Sequence, residues 1–381
     1  MQTPLLVRYS LVLSMLFCGI RFSCCHAQAQ NPPISPASTE KINEKSIEKT
    51  PEKSERSAQP GLSATNEGEF AVLLPDVMSG GSDHFIKHWD ATGRLSGTVG
   101  THDASITAIA MTFVVDKNGK SSPLLISGGQ GGQLKIWGIG EGATANTMPL
   151  KSVKAHEGGI TALAVTTNGL LIATGGMDTY IRLWDRRTGK MLAEVKAHDE
   201  AVRSLKFTRD GSILVSGSDD RLIRVWKVGE QGQTLDYQSS ILAHDSAITA
   251  ITLSPDANSV ASVSADGYLK LWQINGGSLQ RHIHVNMHGV LAVAYSPDGK
   301  LVATGDGDGR IRLWNVKTGL ATAFVGSHER GVCTLAWTPD GEMLISGGGD
   351  KTLRYWNVTT GHQIARIAAH DGTVQAIAIL P

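Results

Sequence analysis

Cysteine is scarce in this chain, and its placement matters more than its count. Of the four cysteines, Cys18, Cys24 and Cys25 fall in the first 25 residues, so a chain that loses its leader keeps only Cys333. A single cysteine excludes an internal disulfide in that mature chain and leaves its stability to packing. Cys333 itself, in "GVCTLAW", is read as a small buried apolar residue. A surplus of positive charge is missing too: 35 lysines and arginines face 35 aspartates and glutamates. With no excess cations to displace counterions from a nucleic-acid backbone, nucleic acid is not an expected partner. A run long enough to span a bilayer is also lacking. The apolar segment "SLVLSMLFCGI" is about half of the roughly 20 residues that a transmembrane helix needs.

What is present at the N-terminus is Arg8, that short apolar run, and a small-residue site at Ala27-Gln28-Ala29. Residues 1–29 read as an export signal, which places the protein in the periplasm or outside the cell. Lipidation of a leader cysteine, or retention of the leader as a membrane anchor, are the competing readings. Membrane contact is expected only through such an uncleaved leader. Residues 30–68 hold almost no large apolar side chains and cannot bury enough surface to fold alone, so they read as a disordered linker.

From residue 69 to 381 the sequence becomes periodic. Trp89, Trp137, Trp184, Trp226, Trp272, Trp314 and Trp356 follow one another at intervals of 42 to 48 residues. A period near that length implies one four-stranded blade per repeat. Within each unit apolar and polar residues alternate, as in "AITAITLSPDANSVASVSADGYLKLW", and "SPDG" or "TPDG" turns recur.

Polar residues repeat in the same register. Asp83, Asp178, Asp220, Asp266, Asp308 and Asp350 stand six residues before a tryptophan, with Gly131 as the exception. Four residues earlier still are Ser79, Ser127, Thr174, Ser216, Ser262, Thr304 and Ser346. His102, His156, His198, His244, His328 and His370 each precede a Val or Ile anchor by four residues. Once buried, such groups must satisfy one another.

These residues make residues 69–381 resemble the WD40-repeat family of β-propellers. The resemblance implies an all-β, seven-bladed propeller. It also implies a structural network within each blade, in which Asp220, Ser216 and Trp226 join His198, and Asp350, Ser346 and Trp356 join His328. Because these residue types repeat seven times, a Ser-His-Asp nucleophile is excluded in favour of structure. The unit ending at Trp137 lacks its aspartate and carries inserts on both sides. In the unit ending at Trp314, His288 stands two residues from Val290, and Asn286 takes the aligned position. The C-terminal segment 373–381 ends in the register at which the first unit's second strand begins, so the two ends of the chain are expected to complete one blade together.

The family resemblance implies an interaction platform with no catalytic residue and no cofactor, whose partner is a protein or peptide. Candidate partner-binding residues are His84, Thr179, Arg221 and Lys351 beside the turn aspartates, and Thr107, Thr161, Arg203, Thr249 and Gln375 one place past each strand anchor. Lys87, Lys135, Arg182, Arg224, Lys270, Arg312 and Arg354, two residues before each tryptophan, are expected to lay their stems along the neighbouring blade rather than form an anion ring. His282, His284 and His288 have the look of metal ligands, but no cysteine or carboxylate lies close by in sequence, and no metal is expected. The alternatives are a propeller enzyme acting on an envelope carbohydrate or peptide, and a membrane-anchored assembly subunit.

Overall fold

The computed structural model describes residues 73–115, 119, 121–139 and 148–380. The leader and linker readings for residues 1–68 lie outside them. Twenty-eight strands form seven four-stranded antiparallel sheets. Blade 4 shows the pattern, running from the innermost strand outward as Val202–Phe207, Ile213–Ser218, Leu222–Val228 and Leu235–Leu242. Blades 2, 3, 5, 6 and 7 have innermost strands Ile106–Val115, Ile160–Val165, Ile248–Leu253, Val290–Tyr295 and Val332–Trp337. Neighbouring innermost strands touch all the way round, which makes a closed seven-bladed propeller.

Blade 1 is built from both ends of the described chain. Its innermost strand is Val374–Ile379, and its other three are Val77–Gly81, Phe85–Trp89 and Leu95–Thr101. The partners Val77↔Ile379, Ser79↔Ile377 and Gly80↔Ala376 set the closing register. Residues 73–76 lead into this blade without strand structure; Leu74 packs into the core and donates its N–H to the Ala91 carbonyl at 2.9 Å.

Each tryptophan packs on the blade before its own. Trp226 lies with Ile181 and Leu183 of blade 3 and with Val202, Leu205 and Leu214 of blade 4. The other six repeat this arrangement, so the core is a ring of seven interblade clusters. At two of these contacts the neighbouring outer strand must come very close: a Cβ on Gly100 or Gly326 would lie 2.3 Å from Trp137 or 2.1 Å from Trp356.

Cys333 departs from expectation. It is half-buried on the innermost strand of blade 7 and is disulfide-bonded.

Candidate functional site

In five blades the repeated polar residues engage one another as a complete hydrogen-bonded set, and blades 2 and 6 depart from it. In blade 4 the Trp226 indole N–H donates to Ser216 Oγ at 2.9 Å, Ser216 Oγ lies 2.8 Å from His198 Nε2, and His198 Nδ1 lies 2.9 Å from Asp220. Indole nitrogen can only donate, so Ser216 Oγ accepts from it; with the imidazole hydrogen on Nδ1 given to Asp220, Nε2 is left to accept the serine hydrogen. In that tautomer donation runs in one direction, from Trp226 to Asp220. His156 with Asp178 and Thr174, His244 with Asp266 and Ser262, and His328 with Asp350 and Ser346 reproduce it at 2.7–2.8 Å. In blade 1 the set spans the closure: His370 bonds Ser79 at 2.8 Å and Asp83 at 2.8 Å, and Trp89 donates to Ser79 at 2.8 Å.

Electrostatics follow from this burial. Loss of water pushes His156, His198 and His370 below the ordinary imidazole value even though an aspartate faces each of them. Burial acts to raise Asp220, but the hydrogen bond from His198 and the backbone N–H bonds of Leu222 and Asp199 outweigh it and leave the carboxyl below its usual range. Blade 2 has no aspartate, and its histidine shows the result. His102 bonds Ser127 at 2.7 Å, and desolvation, helped by the nearby charge of Lys135, lowers its pKa to about 4.

The unfolded chain protonates this histidine near 6.5 and the folded one near 4, so between those values the unfolded state binds more protons. Stability contributed by His102 is thus complete above about pH 6.5 and falls as the pH drops, by about 3 kcal/mol at pH 4. Replacing His102 with Asn, the residue type that blade 6 uses there, is expected to flatten the stability profile across that window. Denaturant unfolding at a series of pH values checks it; an unchanged slope would contradict the assignment.

Blade 6 is wired differently. Asn286 donates to Asp308 at 3.0 Å, while the exposed His288 reaches the same carboxylate at 3.2 Å, and Thr304 keeps only its bond from Trp314, at 2.8 Å. Fully buried Asp306 adds a carboxylate where the other blades have Gly or Ser, and Arg312 binds it at 2.6 Å. The remaining cations of that column are also committed. Lys87, Lys135 and Lys270 donate at 2.9 Å to the carbonyls of Ala369, Thr101 and Ala243, each the residue before a network histidine. Arg224 donates likewise to Ala197, while Arg182 and Arg354 bind Asp178 and Asp350. On the outer strand of blade 5, His282 and His284 flank the Tyr268 ring, with centroids 4.5 and 5.1 Å away.

The unrepeated side chains gather on the face that carries the turn aspartates. Every innermost strand has a β-bulge immediately after its anchor. A bulge re-aims the extra residue. In each blade that residue lines the axial cavity, of about 780 Å³, whose mouth also includes Met177, Glu200 and Asp219. Arg203 and Gln375 stand there as candidates, and Arg203 clasps Asp219 with contacts of 2.5–2.9 Å. Thr107, Thr161 and Thr249 have another occupation. Their hydroxyls donate to the carbonyls of Ile160, Val202 and Val290, the anchors of the next blades, so each hydroxyl hydrogen ties two blades together.

The residue after each turn aspartate, or after Gly131, has a left-handed backbone in all seven blades. Gly132, Gly267 and Gly309 accept this without strain, but His84, Thr179, Arg221 and Lys351 hold φ of 75°, 73°, 72° and 69°. Their carbonyls explain the geometry: each accepts a backbone N–H from the loop that brings in the network histidine. The conformation costs a residue with a side chain about 1–2 kcal/mol, and three of the four side chains, all but Thr179, are exposed.

Three kinds of similarity accompany this geometry. A family model described as the first β-propeller of IFT122 matches residues 178–380, and a model of the WD domain, G-beta repeat, matches residues 147–185. Autophagy-related protein 16 of Arabidopsis thaliana is 29% identical over 119 residues, covering 31% of this chain and 21% of that protein. The ribosome biogenesis protein WDR12 homolog of Drosophila erecta is 29% identical over 109 residues, 28% of this chain and 24% of that one. Human Striatin-3 is 25% identical over 130 residues, 32% and 14% of the two chains. The matches thus span a quarter or less of these relatives. The crystal structure of the computationally designed Ika8 protein aligns with a TM-score of 0.61 at 30% identity, covering 83% of this chain and 92% of that one.

Proposed function

The chain belongs to the WD40-repeat family of β-propellers, and from that premise we propose that it is an exported, non-catalytic scaffold that holds a protein or peptide against the face carrying the turn aspartates. One observation carries the reading. His84, Thr179, Arg221 and Lys351 occupy a strained backbone position that glycine fills in three other blades, all on one rim. Side chains retained at such a cost are a functional signal. Arg203 adds a charged contact at the centre of the same face.

A non-catalytic role is supported by the state of the Ser-His-Asp sets. Ser216 is fully buried and already bonded to Trp226 and His198, so it offers no nucleophile to a substrate. Export rests on the leader sequence alone. N-terminal sequencing of the exported protein tests it: a start at Gln30 shows that the leader is removed.

The binding face is tested with the quadruple variant Arg203→Ala, Arg221→Ala, Lys351→Ala, His84→Gly. A partner captured by the natural chain and identified by mass spectrometry is expected to bind the variant at least about tenfold more weakly, as loss of central charged contacts does. Equal binding would move the interface elsewhere on the ring.

A further inference from the structure

Lys206 breaks the sevenfold pattern inside the ring. It stands four residues after the anchor Val202, where the other innermost strands carry Ala110, Ala164, Thr252, Ala294, Ala336 and Ala378. Its side chain forms part of the wall of the axial cavity and keeps accessible surface there. Protein nevertheless surrounds it, and the loss of bulk water pushes its ammonium below the ordinary lysine value. Among the described residues nothing bonds or pairs with that ammonium. Of the two carboxylates lining the cavity, Asp219 is held by Arg203, and Glu200 stands exposed at the rim.

The Lys206 side chain is exposed to that cavity, so an anion can reach the ammonium, and the protein walls screen the attraction less than bulk water would. The stoichiometry narrows the ligand. Arg203 is neutralised by Asp219, so one positive charge is on offer. A monoanion balances it, whereas a phosphate dianion would leave negative charge stranded in a poorly screened space. Lys206 lies three residues along the strand from Arg203, about 10 Å below the mouth, and smaller side chains at the six equivalent places leave room beside it.

We infer that the channel is a carboxylate-binding site, in which one carboxylate, on a partner's peptide or on a small organic acid, enters past Arg203 and pairs with Lys206. For the peptide source this rests on the partner-binding reading of the same mouth.

The test measures acylation of Lys206 by an amine-reactive ester in the full chain, read by peptide mass spectrometry, with exposed Lys227 of the same blade as internal reference. The probes are acetate, an N-acetylated glutamate-containing pentapeptide and inorganic phosphate. One of the two carboxylate probes is expected to slow acylation of Lys206 and leave Lys227 unchanged. Calorimetric titration of that probe should weaken about tenfold or more in Lys206→Ala and in Lys206→Met. The alanine variant reproduces what most other blades carry, and the methionine variant keeps the bulk without the charge. Protection by the peptide but not by acetate identifies a partner-borne carboxylate, and protection by acetate a free acid; both support the site. No protection by either, equal protection by phosphate, or unchanged titration in the methionine variant overturns it. Absent protection with rim-dependent capture intact rejects the channel site alone, and protection by acetate with capture indifferent to the rim variant rejects the scaffold reading alone.

Discussion

Removing residues 373–381 is expected to abolish cooperative unfolding of the whole propeller rather than trim one edge of it. The deleted strand supplies Val374, which is fully buried, and the ladder to Val77–Gly81. It also supplies the reciprocal bonds between Ser82 and Thr373, each 2.9 Å long, and the bond from Leu380 to Asp76 at 2.9 Å. One buried valine contributes roughly 1.5–3 kcal/mol and each hydrogen bond roughly 0.5–1.5 kcal/mol. The total exceeds about 5 kcal/mol, comparable with the entire net stability of an ordinary domain. Blade 1 would be left with three strands, and the inner edge of Val77–Gly81 would open to solvent. Thermal unfolding followed by circular dichroism decides the matter: a truncated chain with the melting temperature of the full one would show that the ring does not depend on its closing strand.

Trp226→Ala is expected to destabilise the protein by about 3–5 kcal/mol, the range for emptying a buried aromatic site. The loss combines two effects that milder substitutions separate. Trp226→Phe keeps most of the packing against Ile181 and Leu183 but withdraws the donor from Ser216, whereas Ser216→Ala removes only the hydroxyl and strands both the indole N–H and His198 Nε2. Each stranded group costs about 1–3 kcal/mol. Strong coupling between the Phe and Ala changes is expected, because both break the same bond. Denaturant midpoints of the two single variants and the double variant measure it. Simple additivity would show that indole and hydroxyl contribute independently.

The fold was legible because the residues that repeat are those occupied with holding each blade together. Tryptophan, serine or threonine, aspartate and histidine must recur wherever the same network is built, so their columns announced seven blades and placed the closure at the two ends. The mouth was less legible. Thr107, Thr161 and Thr249 occupy the correct column, but a strand pattern does not reveal that a bulge aims their hydroxyls at the neighbouring blade's carbonyls. The strain at His84, Thr179, Arg221 and Lys351 was visible only as alternation with glycine in one column. Asp306 and Lys206 were missed for a different reason. Both are single departures within columns that carry no motif, Asp306 among glycines and serines and Lys206 among alanines and one threonine.

Because His370 completes the network of Ser79 and Asp83, the first blade waits on residues nearly 300 positions downstream: 291 separate His370 from Ser79. During synthesis every other blade can pair its strands as they emerge, but this one stays three-stranded until Val374–Ile379 is released. A chain that stops before Val374 therefore carries an unpaired sheet edge as a mark of incompleteness that proteases and chaperones can read, and only a product that includes Val374–Ile379 is able to erase it.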